Sequence, residues 1–235
     1  MAFQDELFKS DDTYKSAFSV DNVIFGFDND NLKLLLIKRK SDPFRGNWAL
    51  PGDIVSPSED LDQAAIRVLE QLTGVKNVFL EQVHTFGKVD RHPRGRVITI
   101  AYYSLINIKQ VNIVADSFAD KVAWKELRSI DKLAFDHFQI IQTCLKRLRR
   151  DLKFGPIGFE LLPEKFTLTE LQRLYEAVLE KELDKRNFRK KILSMNVLKS
   201  CHELQKGVAH RPAKLYSFDA QRYEEAKEEG YIFEL

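Results

Sequence analysis

Pro51–Val75 reads PGDIVSPSEDLDQAAIRVLEQLTGV. Within it Leu61, Ala64, Ala65, Val68 and Leu72 recur at the spacing of one helical face. Asp60 stands as an N-cap, and Gln63, three residues on, completes a capping box. The segment from Asp60 to Thr73 is therefore expected to be an amphipathic helix, closed by Gly74 and Val75. Positions 68, 71 and 72 are expected to share a face, with Glu70 on roughly the opposite side.

Upstream, Leu32–Asp53 reads LKLLLIKRKSDPFRGNWALPGD: an aliphatic strand ending in Lys38-Arg39, then a loop through Pro43, Gly46, Trp48 and Leu50. Ser19–Phe27 and Leu32–Arg39 read as strands joined by the turn-rich Asp28-Asn29-Asp30-Asn31. Val78–Phe86, Val97–Ile108 and Val122–Trp124 read as further strands, with the loop GKVDRHPRGR at Gly87–Arg96. Asp136–Leu152 carries Phe138, Ile141, Leu145, Leu148 and Leu152 at helical spacing, with Lys146, Arg147, Arg149 and Arg150 on the other face. Phe154–Pro163 breaks that helix with two glycines and two prolines. It divides the chain into expected domains of residues 1–153 and 154–235.

The second domain opens on a capping box, Thr167-Leu168-Thr169-Glu170, heading a helix with Leu168, Leu171, Leu174, Tyr175 and Val178 on one stripe. Glu180–Leu183 connects it to Asp184, the N-cap of a basic helix, Lys185–Ser194, in which Phe188, Ile192 and Leu193 face inward. Val197–Cys201 and Leu215–Phe218 follow as short strands around a turn at Gly207 and His210-Arg211-Pro212. Helix, short turn, basic helix and hairpin is the order of a winged helix-turn-helix.

Charge is distributed to match. The whole chain is close to neutral, at +2 over 235 residues. Between Lys185 and Lys214 there are nine basic residues against one acid, Glu203. Such a patch is the electrostatic footprint of a phosphate-backbone binder. Arg186, Asn187 and Arg189 are expected to read base edges, because Arg pairs with guanine and Asn with adenine. Lys185 belongs to the same helix, and Lys190, Lys191, Lys206, Arg211 and Lys214 are expected on phosphates.

The rest of the composition sets limits. A 44% hydrophobic content supports ordinary cores, and there is no apolar run of membrane-spanning length. The N-terminal MAFQDELFKSDDTYKS has no basic-then-apolar signal pattern. Two cysteines far apart, Cys144 and Cys201, make no disulfide framework, and Cys144 reads as a small buried apolar residue. The chain is read as a soluble cytoplasmic protein.

Pro51–Val75 resembles a Nudix box, and the strand, Arg39 and the Trp-x-Leu-Pro-Gly run before it match the same family. The frame holds at Glu59, Arg67, Leu69, Gly74 and Val75. The opening Gly falls on Asp53, the Glu of Arg-Glu on Val68, and the Glu-Glu pair on Gln71 and Leu72. Nudix hydrolysis of a nucleoside diphosphate needs Mg²⁺ to neutralise the diphosphate and activate water, and Mg²⁺ takes oxygen ligands, chiefly carboxylates. The resemblance therefore implies an α/β/α sandwich that has lost its metal ligands: no enzyme, no metal and no cofactor.

With the winged helix the chain resembles the Nudix-related transcriptional regulators of bacteria, through Leu133–His137, Pro156–Pro163, Phe166–Leu168, Asp184–Lys190 and Arg211–Tyr216 as well as the box. The fold implied is α+β. The partners implied are operator DNA, a second copy in a homodimer and a small effector. One branch senses ADP-ribose and controls NAD synthesis; another senses a sugar such as arabinose. Arg67-Val68-Leu69, Leu72-Thr73-Gly74, Glu81-Gln82-Val83 and Asp184–Lys190 look more like the sugar branch. Asp53 in a tight turn would place a negative side chain where a phosphate approaches, which also favours a neutral sugar. By resemblance Lys38, Arg39, Trp48, Asp53 and Glu59 border the effector cleft, Trp48 offering an aromatic face, and Asp90 and Arg91 sit on a loop over it. The expectation is a repressor that a pentose releases, with an ADP-ribose-responsive regulator as the alternative and an active ADP-ribose pyrophosphatase-like hydrolase as a second alternative.

Overall fold

Strands buried on both faces build the first half of the chain. In a computed structural model, which describes residues 16–28, 30–115, 119–207, 211–230 and 233, β1 (Ala17–Asp28) sends Val20 and Ile24 to one face and Val23, Phe25 and Phe27 to the other. In β2 (Asn31–Arg39), Leu35 and Ile37 face one way and Leu34 and Leu36 the other. A strand that buries both faces is apolar over most of its length, because its side chains alternate, and in β1 the buried polar exceptions are Ser19, Asp21 and Asn22. Beside these lie β3 (Trp48–Ala49), β4 (Gly52–Ile54), β5 (Glu81–Phe86), β6 (Val97–Asn107) and β7 (Ala119–Glu126).

They form one mixed sheet of seven strands, ordered β3-β2-β1-β6-β5, with β4 on β1 and β7 on β2. β1 and β6 run parallel in continuous register from Ala17↔Val97 to Phe27↔Asn107. Helix α1 (Leu61–Thr73) covers one face through Ala64, Ala65, Val68, Leu69 and Leu72. Helix α2 (His137–Phe154) covers the other through Ile140, Ile141, Cys144, Leu145 and Leu148. This is the expected α/β/α sandwich.

The second half keeps the expected order. The strand β8 (Phe166–Thr167) leads into α3 (Leu168–Leu179), α4 (Lys185–Ser194) and the hairpin β9 (Leu198–Leu204) and β10 (Lys214–Phe218). The three strands form a small sheet in the order β8-β10-β9. Both capping residues act as expected: Thr167 Oγ1 accepts from the Glu170 N–H at 3.1 Å and Asp184 Oδ1 from the Asn187 N–H at 2.8 Å. Together with the sandwich this is an α+β chain with a C-terminal winged helix.

Some expectations are corrected. The strand read from Val78 begins at Glu81, and the short one at Val122 extends over Ala119–Glu126. Phe138 and Leu193 are exposed rather than inward; Ile140 and Cys144 take the buried positions on α2. A final helix, α5 (Ala220–Glu228), was not foreseen because none of its residues is buried. Asn29, His210 and the first fifteen residues lie outside the described residues. Among the described residues no helix is long and apolar enough to cross a membrane.

Phe154–Pro163 is more than a break. Pro156–Leu161 forms a 3-10 helix with Gly158 and Leu161 buried. A Cβ on Gly158 would lie 2.6 Å from Leu152 Cδ1, so the glycine allows the segment to sit down on α2. One apolar cluster runs from Phe25 and Leu36 through Leu145, Leu148 and Leu152 to Leu171, Tyr175 and Ile192. The two halves thus share a core, and α2 is its axis. Arg147 of α2 meets Glu81 of β5, and Arg149 of α2 donates to the Val178 carbonyl of α3 at 2.8 Å. Leu148→Ala should cost about 2–5 kcal/mol, and urea unfolding followed separately at the two halves should show both shifting together. A shift confined to one half would contradict a shared core.

Candidate functional site

A cleft of about 490 Å³ opens at the end of the sheet where β1, β4 and the Gly87–Arg96 loop meet the start of α2. Asp21 of β1 forms its floor. The Thr99 hydroxyl donates to Asp21 Oδ2 at 2.7 Å. His137, the first residue of α2, has Nε2 at 3.3 Å from Asp21 Oδ1, while its Nδ1 accepts the Leu50 N–H at 2.9 Å. One nitrogen accepting requires the other to carry the proton, so His137 is neutral with its proton on Nε2, the nitrogen nearer Asp21. Its burial holds its pKa below the usual histidine value.

Arg91 completes the floor. Its side chain is 4% exposed, forks onto Asp136 at 2.9 and 2.7 Å, and lies 3.7 Å from Asp21. A bidentate Arg–carboxylate pair gives geometric specificity as well as energy. Asp136 therefore serves as the partner of Arg91, not as a side-chain cap on α2.

The walls are cationic and aromatic. Phe135 adopts φ 52°, a left-handed conformation that costs a non-glycine residue about 1–2 kcal/mol. Its ring is held by His92, stacked at 5.0 Å, by Phe44 edge-on at 4.8 Å and by the Arg39 guanidinium at 4.9 Å. Arg39 also donates to the Pro43 carbonyl at 2.8 Å, and Arg96 to the Gly87 carbonyl. The guanidinium of Arg94 is exposed and has no partner among the described residues. Burial and then the positive charges of Arg91, Arg39 and Arg94 push the His92 pKa down. Arg91 is compensated by Asp136 and Asp21, and Arg39 has Asp21, Asp53 and Asp42 near it, so of the three Arg94 is the cation left without an ion-pair partner among the described residues.

Of the expected effector residues, Arg39, Asp53 and Arg91 line this cleft. Lys38 does not: it neighbours Arg39 on a strand, where successive side chains point to opposite faces. Trp48 lies against Lys125, 4.7 Å from ring centroid to Nζ, in a separate recess; the aromatic face belongs to Phe135 instead. Asp90 points out to Lys88 at 3.4 Å. Glu59 is consumed by structure: its carboxylate accepts from Arg67 at 2.6 and 2.8 Å and from the Ser56 N–H at 2.7 Å, holding its pKa at about 2. The sequence reading missed Arg94, Arg96, His92, Phe135 and Asp21, although the density of basic residues in GKVDRHPRGR was a signal for three of them.

Asp53 also differs from expectation. It sits in extended β4, not in a tight turn, and its Oδ1 accepts the N–H of Ile54 at 2.8 Å. The close approach falls one residue earlier. A Cβ on Gly52 would lie 2.1 Å from Asp21 Oδ1.

The Nudix resemblance raises the question of Mg²⁺, and the donors do not fit it. Val68 and Leu72 are 0% and 7% exposed within an apolar cluster with Ala64, Ala65, Ile37 and Ile100. Gln71 does not share their face: it is exposed and accepts from Arg67 at 3.1 Å. Among the described residues no three His, Cys, Asp or Glu side chains gather as a metal set would require.

At the other end of the chain, α4 packs by Phe188 and Ile192 and exposes Lys185, Arg186, Asn187, Lys190 and Lys191. Arg189 departs from the expected base-reading set, since it is half-buried and donates to Thr169 Oγ1 of α3 at 3.1 Å. Lys206, Arg211 and Lys214 are exposed along the hairpin. Glu203, the one acid of the patch, is neutralised by Lys165 at 2.6 Å. A second groove, of about 580 Å³, lies between β6 and the 3-10 helix, with Phe79, Ile157 and Phe218 on its walls. It lacks the cationic cluster of the cleft.

Residues 16–144 match the NUDIX domain family and residues 158–218 the NrtR DNA-binding winged helix domain family. The chain is 37% identical over 210 residues to the ADPR responsive transcriptional repressor NtrR of Acinetobacter baylyi, covering 88% of this chain and 83% of that protein. It is similar to the crystal structure of Shewanella oneidensis NrtR with a 27mer DNA, at 30% identity and TM-score 0.72, over 92% of this chain and 97% of that one. It also resembles the NUDIX domain of Shewanella oneidensis NrtR complexed with ADP ribose, at 31% identity and TM-score 0.56, over 63% of this chain and 99% of that one.

Protonation of His137 should be linked to unfolding. Because the folded pKa of His137 is depressed, the unfolded chain binds a proton that the folded one refuses, so stability falls as pH drops below the usual histidine value of 6.5. Denaturant unfolding between pH 7.5 and 5 should show this decline, and it should be shallower in His137→Gln. Equal slopes would mean that His137 is not held neutral.

Proposed function

The chain belongs to the family of Nudix-domain transcriptional regulators that carry an NrtR-type DNA-binding winged helix, and from that premise we propose that it is a repressor released from its operator by ADP-ribose. The chain is a DNA-binding transcriptional regulator; the effector and the sense of the response are the proposal. The observation that carries it is the cleft itself: the Arg94 guanidinium, unpartnered among the described residues, beside the Phe135–His92 stack. Such a site suits an anionic diphosphate joined to an aromatic base, since cations meet phosphates and aromatic faces meet bases. One relative is named an ADPR responsive transcriptional repressor, and the NUDIX domain of another was solved in complex with ADP ribose. The arabinose expectation finds no such support, and its physical ground, Asp53 in a tight turn, is absent.

The Nudix domain acts here as a sensor. Its retained frame preserves a cleft, while Val68, Gln71 and Leu72 offer no carboxylate to hold a metal and activate water. With Mg²⁺ and ADP-ribose, turnover should stay well below ~1 s⁻¹, the low end for ordinary enzymes; chromatography of the products checks this.

Operator binding falls to α4 and the hairpin. Two copies on a palindromic site would place two α4 helices in successive major grooves about 34–36 Å apart. Arg186→Ala should weaken operator binding by about 1–3 kcal/mol while leaving random DNA nearly unaffected; Lys191→Ala should weaken both alike. Fluorescence anisotropy should show ADP-ribose lowering operator affinity by about 5–150-fold, the usual range of allosteric coupling. An effect of arabinose with none of ADP-ribose would overturn the effector assignment.

A further inference from the structure

We propose that the cleft takes its nucleoside diphosphate without a divalent cation, with Arg94, aided by Arg39 and Arg96, supplying the countercharge. The proposal rests on the diphosphate reading above and concerns how that ligand is held.

A diphosphate entering a protein site must exchange its hydration and counterions for fixed charge. In a metal-dependent site carboxylates hold Mg²⁺, and Mg²⁺ holds the phosphates. Here both halves of that arrangement are changed. On the helix side, Val68 and Leu72 are packed into the core, and the Glu59 carboxylate is fully occupied by Arg67 and Ser56. Asp42 and Asp53 share the cleft, but they belong to no cluster of three acidic or metal-binding side chains among the described residues.

On the loop side, positive charge stands ready instead. Arg94 is exposed on the cleft wall with its guanidinium unpartnered among the described residues. Its backbone N–H donates to His92 Nδ1 at 3.2 Å, which ties the loop carrying it to the ring stacked on Phe135. Arg39 uses Nε on Pro43 and lies over the Phe135 ring with Asp21, Asp53 and Asp42 near it, and Arg96 uses one nitrogen on Gly87, so each lines the cleft with guanidinium donors left for a ligand and serves as an auxiliary to Arg94. Arg91, by contrast, is committed to Asp136 and Asp21 and belongs to the floor. Planar guanidinium forks match phosphate oxygens bidentately, so an arginine set can replace a metal as the phosphate clamp without polarising water for attack.

The test is calorimetric titration of ADP-ribose, ADP and inorganic pyrophosphate into the full chain, once in excess MgCl₂ and once in excess EDTA. The expected result is the same affinity for ADP-ribose in both buffers, within about twofold. Arg94→Ala should weaken it at least ~10-fold in either buffer, the loss of one charge-assisted hydrogen bond. Arg94→Lys should recover part of that loss, and both variants should keep the thermal stability of the parent, since the side chain is exposed. Loss of ADP-ribose binding in EDTA, or an Arg94→Ala variant that binds like the parent, overturns the proposal. If ADP or pyrophosphate binds equally in both buffers while ADP-ribose does not bind, the effector assignment falls and the metal-free clamp stands. If no diphosphate binds in either buffer, both fall.

Discussion

The buried carboxylate of Asp21 is the constraint on which the rest of the cleft depends. A charge taken out of water must be compensated by hydrogen bonds and opposite charge, or it destabilises the fold by several kcal/mol. Here the compensation comes from four separate segments. Thr99 of β6 donates to it, His137 at the start of α2 faces it, Arg91 of the loop approaches it, and Gly52 of β4 leaves room for it. These segments are far apart in sequence, and the carboxylate fixes them to one another. The cleft floor is thus joined to the first residue of a helix whose last turns enter the core shared with the winged helix.

That connection gives a physical route between the two ends of the molecule. A ligand that repositions Arg91 or Phe135 acts on Asp136 and His137, and so on the seating of α2. Packed cores switch between discrete arrangements more readily than they deform continuously. Arg149 carries the same helix onto the C-terminal end of α3, which leads directly into the turn before α4. Packing gains on α1 have a complementary meaning. Val68 and Leu72 contribute apolar contacts where a hydrolase of this fold would spend carboxylates, and the helix becomes a structural wall.

Much of this was legible in the sequence, because it rests on local rules. The capping boxes at Asp60 and Thr167, the period of α1 and α3, and the basic helix after Asp184 are all written in neighbouring residues. The candidate cleft was harder. Resemblance selected Lys38, Trp48 and Glu59, but strand alternation turns Lys38 away, Lys125 covers Trp48, and Arg67 consumes Glu59. Phe135 and Asp21 became site residues only through contacts between segments that sequence alone does not bring together. Gln71 was placed on the face of Val68 and Leu72, yet one residue's rotation, about 100°, is enough to carry it from core to solvent. The exposed α5 left no apolar period to read.

Binding linkage tests the central claim most directly, since two sites coupled through one structure must affect each other equally. ADP-ribose should be titrated into the free protein and into its operator complex under the same salt. The account predicts weaker ADP-ribose binding to the complex, by the same factor by which ADP-ribose weakens operator binding. Equal ADP-ribose affinity for the free and operator-bound protein would contradict it.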